Sequence, residues 1–120
     1  MSIGDNRRKS ERLNELHQRF ADEDYQQNLA DYRELLKVPA FRRVFVGIVK
    51  RARVFGSISF DRVETNDVMK QIGWRELGVD IYMTANNADG EMVLKAIQER
   101  NEIERDRKRT FEVEMKGNGQ

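Results

Sequence analysis

Apolar side chains recur along most of this chain at spacings of three and four residues, the spacing of one face of an α-helix. The clearest case lies between residues 40 and 54, where the apolar positions advance in steps of 3, 1, 3, 1 and 3. These positions are Phe41, Val44, Phe45, Ile48, Val49 and Ala52. Pro39 suits the first turn of a helix, because its missing N–H would have no partner there. The pattern therefore predicts a helix here, with Val38 extended before it.

A second helical pattern precedes the proline. Apolar positions between residues 24 and 37 repeat at helical spacing and are Tyr25, Leu29, Tyr32, Leu35 and Leu36. The carboxylates at residues 22–24 suit the first turn of such a helix, because they meet the positive end of its dipole. An earlier stripe of Leu13, Leu16 and Phe20 predicts helix in the preceding arm. The two helices are either separate or continuous, since nothing between them breaks a helix.

The pattern is less regular after residue 56. Ile58 and Phe60 alternate with polar residues, which allows a short extended stretch. A helix over residues 66–84 follows, and Gly73 and Gly78 lie inside it. A glycine inside a helix costs about 1 kcal/mol relative to alanine. Two of them indicate either close approach to a neighbouring helix or a break between them.

The last predicted helix covers residues 90–100 and has Asp89 as its cap. Beyond it, residues 99–109 are almost all charged, which is typical of a helix that protrudes into solvent or meets a partner. Three apolar residues then alternate with acids at the spacing of a strand, and a lone domain would have difficulty covering them. They are Phe111, Val113 and Met115.

These elements predict an all-α protein, a small bundle of about four helices over residues 24–37, 40–54, 66–84 and 90–100. The chain has 120 residues, the size of one domain. Its apolar fraction of 38% is low and its charged fraction of 36% is high, which favours a folded middle with solvated ends. We therefore expect a charged N-terminal arm, a helical core and a charged C-terminal extension at residues 1–21, 22–98 and 99–120.

Composition argues against an enzyme. The chain has no cysteine and one histidine, so zinc sites lack ligands, and no phosphate-binding glycine loop is present. That histidine, His17, lies in a charged helix and is typical of a solvated surface residue. We expect no catalytic residue, metal or cofactor. We also expect no secretory signal and no membrane span, because no apolar run is long enough.

Charge is unevenly distributed although the net charge is only +1. Residues 37–53 carry six cations and no acid. On the helix over residues 40–54, these cations form a candidate contact surface for nucleic acid or an acidic partner, made of Arg42, Arg43, Lys50, Arg51 and Arg53. The simpler interpretation is a solvated face that keeps an apolar helix soluble.

Protein contact is the remaining class of function. The candidate interface consists of Trp74 and the three apolar residues near the C-terminus, Phe111, Val113 and Met115. Trp74 belongs either to an exposed patch or to the core, where a lone large aromatic usually packs. The C-terminal residues would dock onto a neighbouring subunit by helix packing or by strand addition.

Residues 35–73 resemble a family of small phage proteins. The matching positions are Leu35, Leu36, Pro39, Arg42, Arg43, Val44, Val54, Phe55 and Ser57, and more loosely Asn66, Asp67, Lys70, Gln71, Ile72 and Gly73. Phe41, Arg53 and Val68 stand where the family has glycine. The family is that of small virion-assembly proteins of short-tailed, Bordetella-type phages, and the resemblance covers about a third of the chain.

The resemblance implies a non-enzymatic virion or assembly component at the portal, the head–tail junction or among ejected internal proteins. Its partners would be other virion proteins and further copies of itself, in the virion and in the host cytoplasm during assembly. It also implies that Arg42 and Arg43 are structural, with salt bridges to the acidic stretch after Thr65. The alternatives are a nucleic-acid-binding packaging accessory and a phage effector that binds a host protein.

Overall fold

A computed structural model of the chain describes residues 3–56 and 65–118. They form three helices, α1 (Ile3–Leu36), α2 (Pro39–Arg51) and α3 (Thr65–Asn118), and these residues contain no strand. The all-α prediction is therefore confirmed. The extended stretch predicted at Ile58 and Phe60 lies outside the described residues.

The molecule is long and thin, which the prediction of a small four-helix bundle did not anticipate. Its extents are 90 × 40 × 16 Å, with a radius of gyration of 22.3 Å. Every residue from 3 to 28 is exposed, as is every residue from 105 to 117. We call residues 3–28 the N-terminal arm and residues 105–118 the C-terminal arm. Both are helical and lie outside the core, so only the middle of the chain packs as a bundle.

The connection between α1 and α2 follows the prediction. Val38 is extended, with φ −90° and ψ 118°, because the following Pro39 disfavours the helical region for it. The carbonyl of Val38 accepts the N–H of Arg42 at 3.1 Å and so begins α2. Upstream, the two helices predicted on either side of residue 21 are one continuous α1.

The end of α2 is a Schellman motif. The N–H of Arg53 donates to the carbonyl of Lys50, and the N–H of Val54 donates to the carbonyl of Val49. Arg53 adopts the left-handed conformation that this motif requires, with φ 55°. The motif turns the chain so that Val54 is buried against the core.

Helix α3 is broken at one residue, Asp89. Its backbone is non-helical, with φ −161° and ψ 89°, and its carboxylate accepts the N–H of Met92 at 3.2 Å. The predicted cap at Asp89 is therefore confirmed, and the helices predicted over 66–84 and 90–100 are separated by this single residue. Beyond the break, helix continues past residue 100 to Asn118, so the strand-like stretch predicted at Phe111, Val113 and Met115 is wrong.

Helix α1 runs antiparallel to the first segment of α3, residues 65–88. Near the break, the amide of Asn87 donates to the hydroxyl of Tyr25 at 3.3 Å. Seven residues along α1, burial raises the pKa of the Tyr32 phenol, and the nearby Asp80 carboxylate raises it further. Tyr25 beside Asn87 and Tyr32 near Asp80 indicate the antiparallel direction. The long side chain of Arg33 donates from its Nε to the carbonyl of Ala88 at 2.9 Å, next to the break.

Helix α2 contacts both segments of α3. Arg42 pairs with Glu99, and Lys50 pairs with Glu104, so α2 and residues 90–118 run in the same direction. The core between the helices is small. It consists of Leu36, Phe45, Val46, Val49, Val54, Ala85, Val93 and Ala96.

One charged side chain is buried in this core. Arg42 is 6% exposed. Its Nε donates to Oε1 of Glu99 at 3.0 Å, and its Nη1 donates to the carbonyl of Leu36 at 2.9 Å. The guanidinium therefore joins the last residue of α1 and the second segment of α3 to α2. The resemblance implied salt bridges from Arg42 and Arg43 to the acidic stretch after Thr65, but Arg42 pairs with Glu99 instead and Arg43 is exposed.

Replacing Glu99 with alanine leaves the buried Arg42 charge without its carboxylate. We expect Glu99→Ala to lower the free energy of unfolding by about 3 kcal/mol, the low end for breaking a buried ion pair, because Glu99 is itself partly exposed. Urea unfolding followed by circular dichroism measures the change. Glu102→Ala, which removes an exposed carboxylate from the same helix, is the control and should change stability by less than about 0.5 kcal/mol.

Candidate protein interface

An open apolar groove lies between α2 and the first segment of α3. Its volume is about 260 Å³. It is lined by Ile48, Arg51, Ala52, Trp74, Leu77, Gly78 and Ile81, and we call it the α2/α3 groove. Trp74 and Leu77 are each 61% exposed, so Trp74 lies on the surface and not in the core. Clustered exposed apolar side chains are typical of surfaces that bind a partner.

Gly78 forms the narrow base of the groove. A Cβ built on Gly78 would lie 2.3 Å from Cβ of Ala52 and 3.0 Å from Cγ2 of Val54. The absence of a side chain therefore lets α3 approach the end of α2 closely, which is one of the two alternatives that the sequence left open for Gly73 and Gly78. Gly73 has nothing within 4 Å of the same position, so it has no packing role.

The N-terminal arm carries a second apolar surface, which we call the arm stripe: Leu13, Leu16 and Phe20. All three side chains are exposed. Phe20 and the buried Leu29 are nine residues apart, which is about two and a half helical turns. The arm stripe therefore points about half a turn away from the side of α1 that packs on α3. Extension of the chain's own core along the helix cannot cover it.

The C-terminal arm presents its apolar residues on two sides. Phe111 and Met115 are four residues apart and share a face, whereas Val113 lies on the opposite one. Phe111 is about five turns beyond the buried Val93, so it continues the face that packs in the core. All three predicted interface residues here are exposed, between 58% and 69%.

The predicted basic surface on α2 is dispersed. Arg42 is buried in the core, and Lys50 pairs with Glu104. Arg43 and Arg53 are exposed, while Arg51 lines the apolar groove. The five cations therefore do not form one continuous face.

His17 is exposed on the N-terminal arm, and the carboxylates beside the arm stripe accept hydrogen bonds from their own helix. Gln18 donates to Asp22, and Arg19 donates to Glu23. In residues 3–56 and 65–118, no acidic and histidine side chains cluster as metal ligands would. None of the described helices is long and apolar enough to cross a membrane.

Comparison with protein-family models, with curated proteins and with solved structures gives no match for this chain. The candidate surfaces therefore rest on the geometry of the chain itself.

The arm stripe is visible in the sequence, but its exposure in the folded chain was not predicted. The spacing of Leu13, Leu16 and Phe20 predicted a helix, and an apolar helical stripe is usually a core face. The informative signal was the register, because the stripe is out of phase with Leu29 and Leu36 in the same uninterrupted helix. Counting helical turns from the arm stripe to Leu29 and Leu36 would have shown that the two sets lie on different faces of α1.

Two glycine substitutions test the close approach at the groove. Gly73→Ala should raise the free energy of unfolding by about 1 kcal/mol, because alanine is the better helix former and nothing lies in its way. Gly78→Ala should lower it by about 1–3 kcal/mol, because the new methyl overlaps Ala52. Urea unfolding of both variants measures the difference. Equal stabilisation by the two would contradict the packing at Gly78.

Proposed function

We propose that this protein is a non-enzymatic assembly component that acts through protein–protein contacts, including contacts between its own copies. The main support is the length of helix that lies outside the core with its apolar side chains exposed. Exposed apolar residues on both arms and in the α2/α3 groove gain stability only when another molecule covers them.

The architecture supports this role. The N-terminal arm is a helix of 26 residues with little tertiary contact, whereas most helical stability in proteins comes from the packing of an apolar face. Packing against a partner stabilises such a helix beyond what its intrinsic helix propensity provides. The two arms are charge-rich but mixed in sign, which keeps them soluble before assembly.

The proposed setting is a phage particle, as a virion structural or assembly protein at the portal, the head–tail junction or among ejected internal proteins. This part rests on the resemblance over residues 35–73. An elongated protein with helical arms fits that setting, because arms let neighbouring subunits engage each other without a large core.

The alternative, a nucleic-acid-binding accessory, has less support. Arg42, in the middle of the proposed basic surface, is buried and paired with Glu99. Phosphate binding needs accessible cations along one surface, and each one used increases the salt dependence of binding. Arg43, Arg51 and Arg53 are exposed but do not lie along one continuous surface.

Light scattering of the purified protein over a concentration series, at low and high salt, tests the proposal. We expect the mass to rise above that of one 14.2 kDa chain with concentration and to persist at high salt, because apolar contacts are not screened. A monomer at every concentration would contradict self-association. Binding to DNA that falls steeply with salt would favour the packaging alternative.

A further inference from the structure

We propose that the α2/α3 groove of one copy binds the N-terminal arm of a second copy, with the arm stripe inserted between Ile48 and Trp74. This inference rests on the proposed self-association and names its interface. It joins two apolar surfaces that the chain presents and that its own fold leaves apart.

A chain cannot fill its own groove. Helix α1 leaves the core at Tyr25, beside Asn87, and runs on past the break in α3. At about 1.5 Å per residue, Leu16 lies roughly 13 Å beyond Tyr25, while Trp74 lies roughly 20 Å from Asn87 in the opposite direction. While α1 is helical from Ile3 to Leu36, its arm is directed away from the groove of the same chain.

The arm has the form of a groove-binding helix. Leu13, Leu16 and Phe20 occupy positions i, i+3 and i+7, the anchor spacing by which an amphipathic helix fits a hydrophobic groove. The groove offers matching walls, with Ile48 on α2 and with Trp74 and Leu77 on α3. Gly78 closes the base of the groove against Ala52, so an inserted side chain contacts the walls above it.

Charge selects this occupant. Glu23 and Asp24 lie three and four residues after Phe20, so they share the face of the arm stripe, and Glu23 is paired with Arg19 of its own helix. The charged residue lining the groove is Arg51. An arm seated in the groove brings the Asp24 carboxylate towards that guanidinium. Two grooves packed face to face would instead bring two Arg51 side chains into one interface, and like charges disfavour it.

An interface between an arm and a groove joins two different surfaces, so it is heterologous. A bound pair of copies still offers one free arm and one free groove. Copies therefore add head to tail, and the assembly grows into a ring where the rotation closes or into a filament where it does not. A symmetric dimer would stop at two.

Mixing two variants distinguishes a head-to-tail interface between arm and groove from a symmetric interface. Leu16→Glu disables the arm and keeps the groove, and Trp74→Glu disables the groove and keeps the arm. Both residues are on the surface, so the fold should persist, which helix content by circular dichroism verifies. By light scattering, each variant alone should have the mass of one chain. An equimolar mixture should have the mass of two chains, because one intact arm meets one intact groove.

Leu94→Glu is the matched control, since Leu94 is exposed but belongs to neither surface, and it should assemble like the parent protein. A mixture that stays at the mass of one chain overturns the inference, as does parent-like assembly by either variant alone. If the parent assembles in these cases, self-association stands and only the arm–groove interface fails. A parent protein that is monomeric throughout overturns both.

Discussion

The buried guanidinium of Arg42 is the interaction on which this fold depends. It lies on α2, donates to the last carbonyl of α1 at Leu36, and pairs with Glu99 beyond the break in α3. A charge removed from water is tolerable only when it is paired and its donors are satisfied, so these partners are fixed together. The connection fixes α2 against residues 90–118 and leaves its other side, with Ile48 and Ala52, facing the first segment of α3.

The size of this core decides what the rest of the chain does. Most of its buried side chains come from residues 36–54 and 85–96, and the arms contribute almost nothing. A core of this kind leaves long helices with little tertiary support, and the proposed association would supply it. The same geometry that makes the molecule 90 Å long therefore also makes it a candidate for assembly.

Local features of the fold were predictable from the sequence, and non-local ones were not. Pro39 and Asp89 marked helix starts correctly, because caps and proline act within a few residues. Burial of Arg42 depends on Glu99, 57 residues away, and no local pattern indicated it. The alternation of Phe111, Val113 and Met115 with acidic residues indicated a strand, but the helix that precedes these residues continues through them to Asn118. Trp74 was recognised as a candidate interface residue, whereas its groove depends on the packing of Gly78 against Ala52.

Hydrogen–deuterium exchange of the intact protein at several concentrations tests the central claim most directly. The account predicts that amides in the N-terminal arm exchange fast in dilute solution and become protected as concentration rises. Amides around Arg42 and Val49 should be protected at every concentration, because their core is complete within one chain. Arm amides that exchange equally fast at all concentrations, beside an unchanged core, would contradict the claim that the arms are contact surfaces between copies.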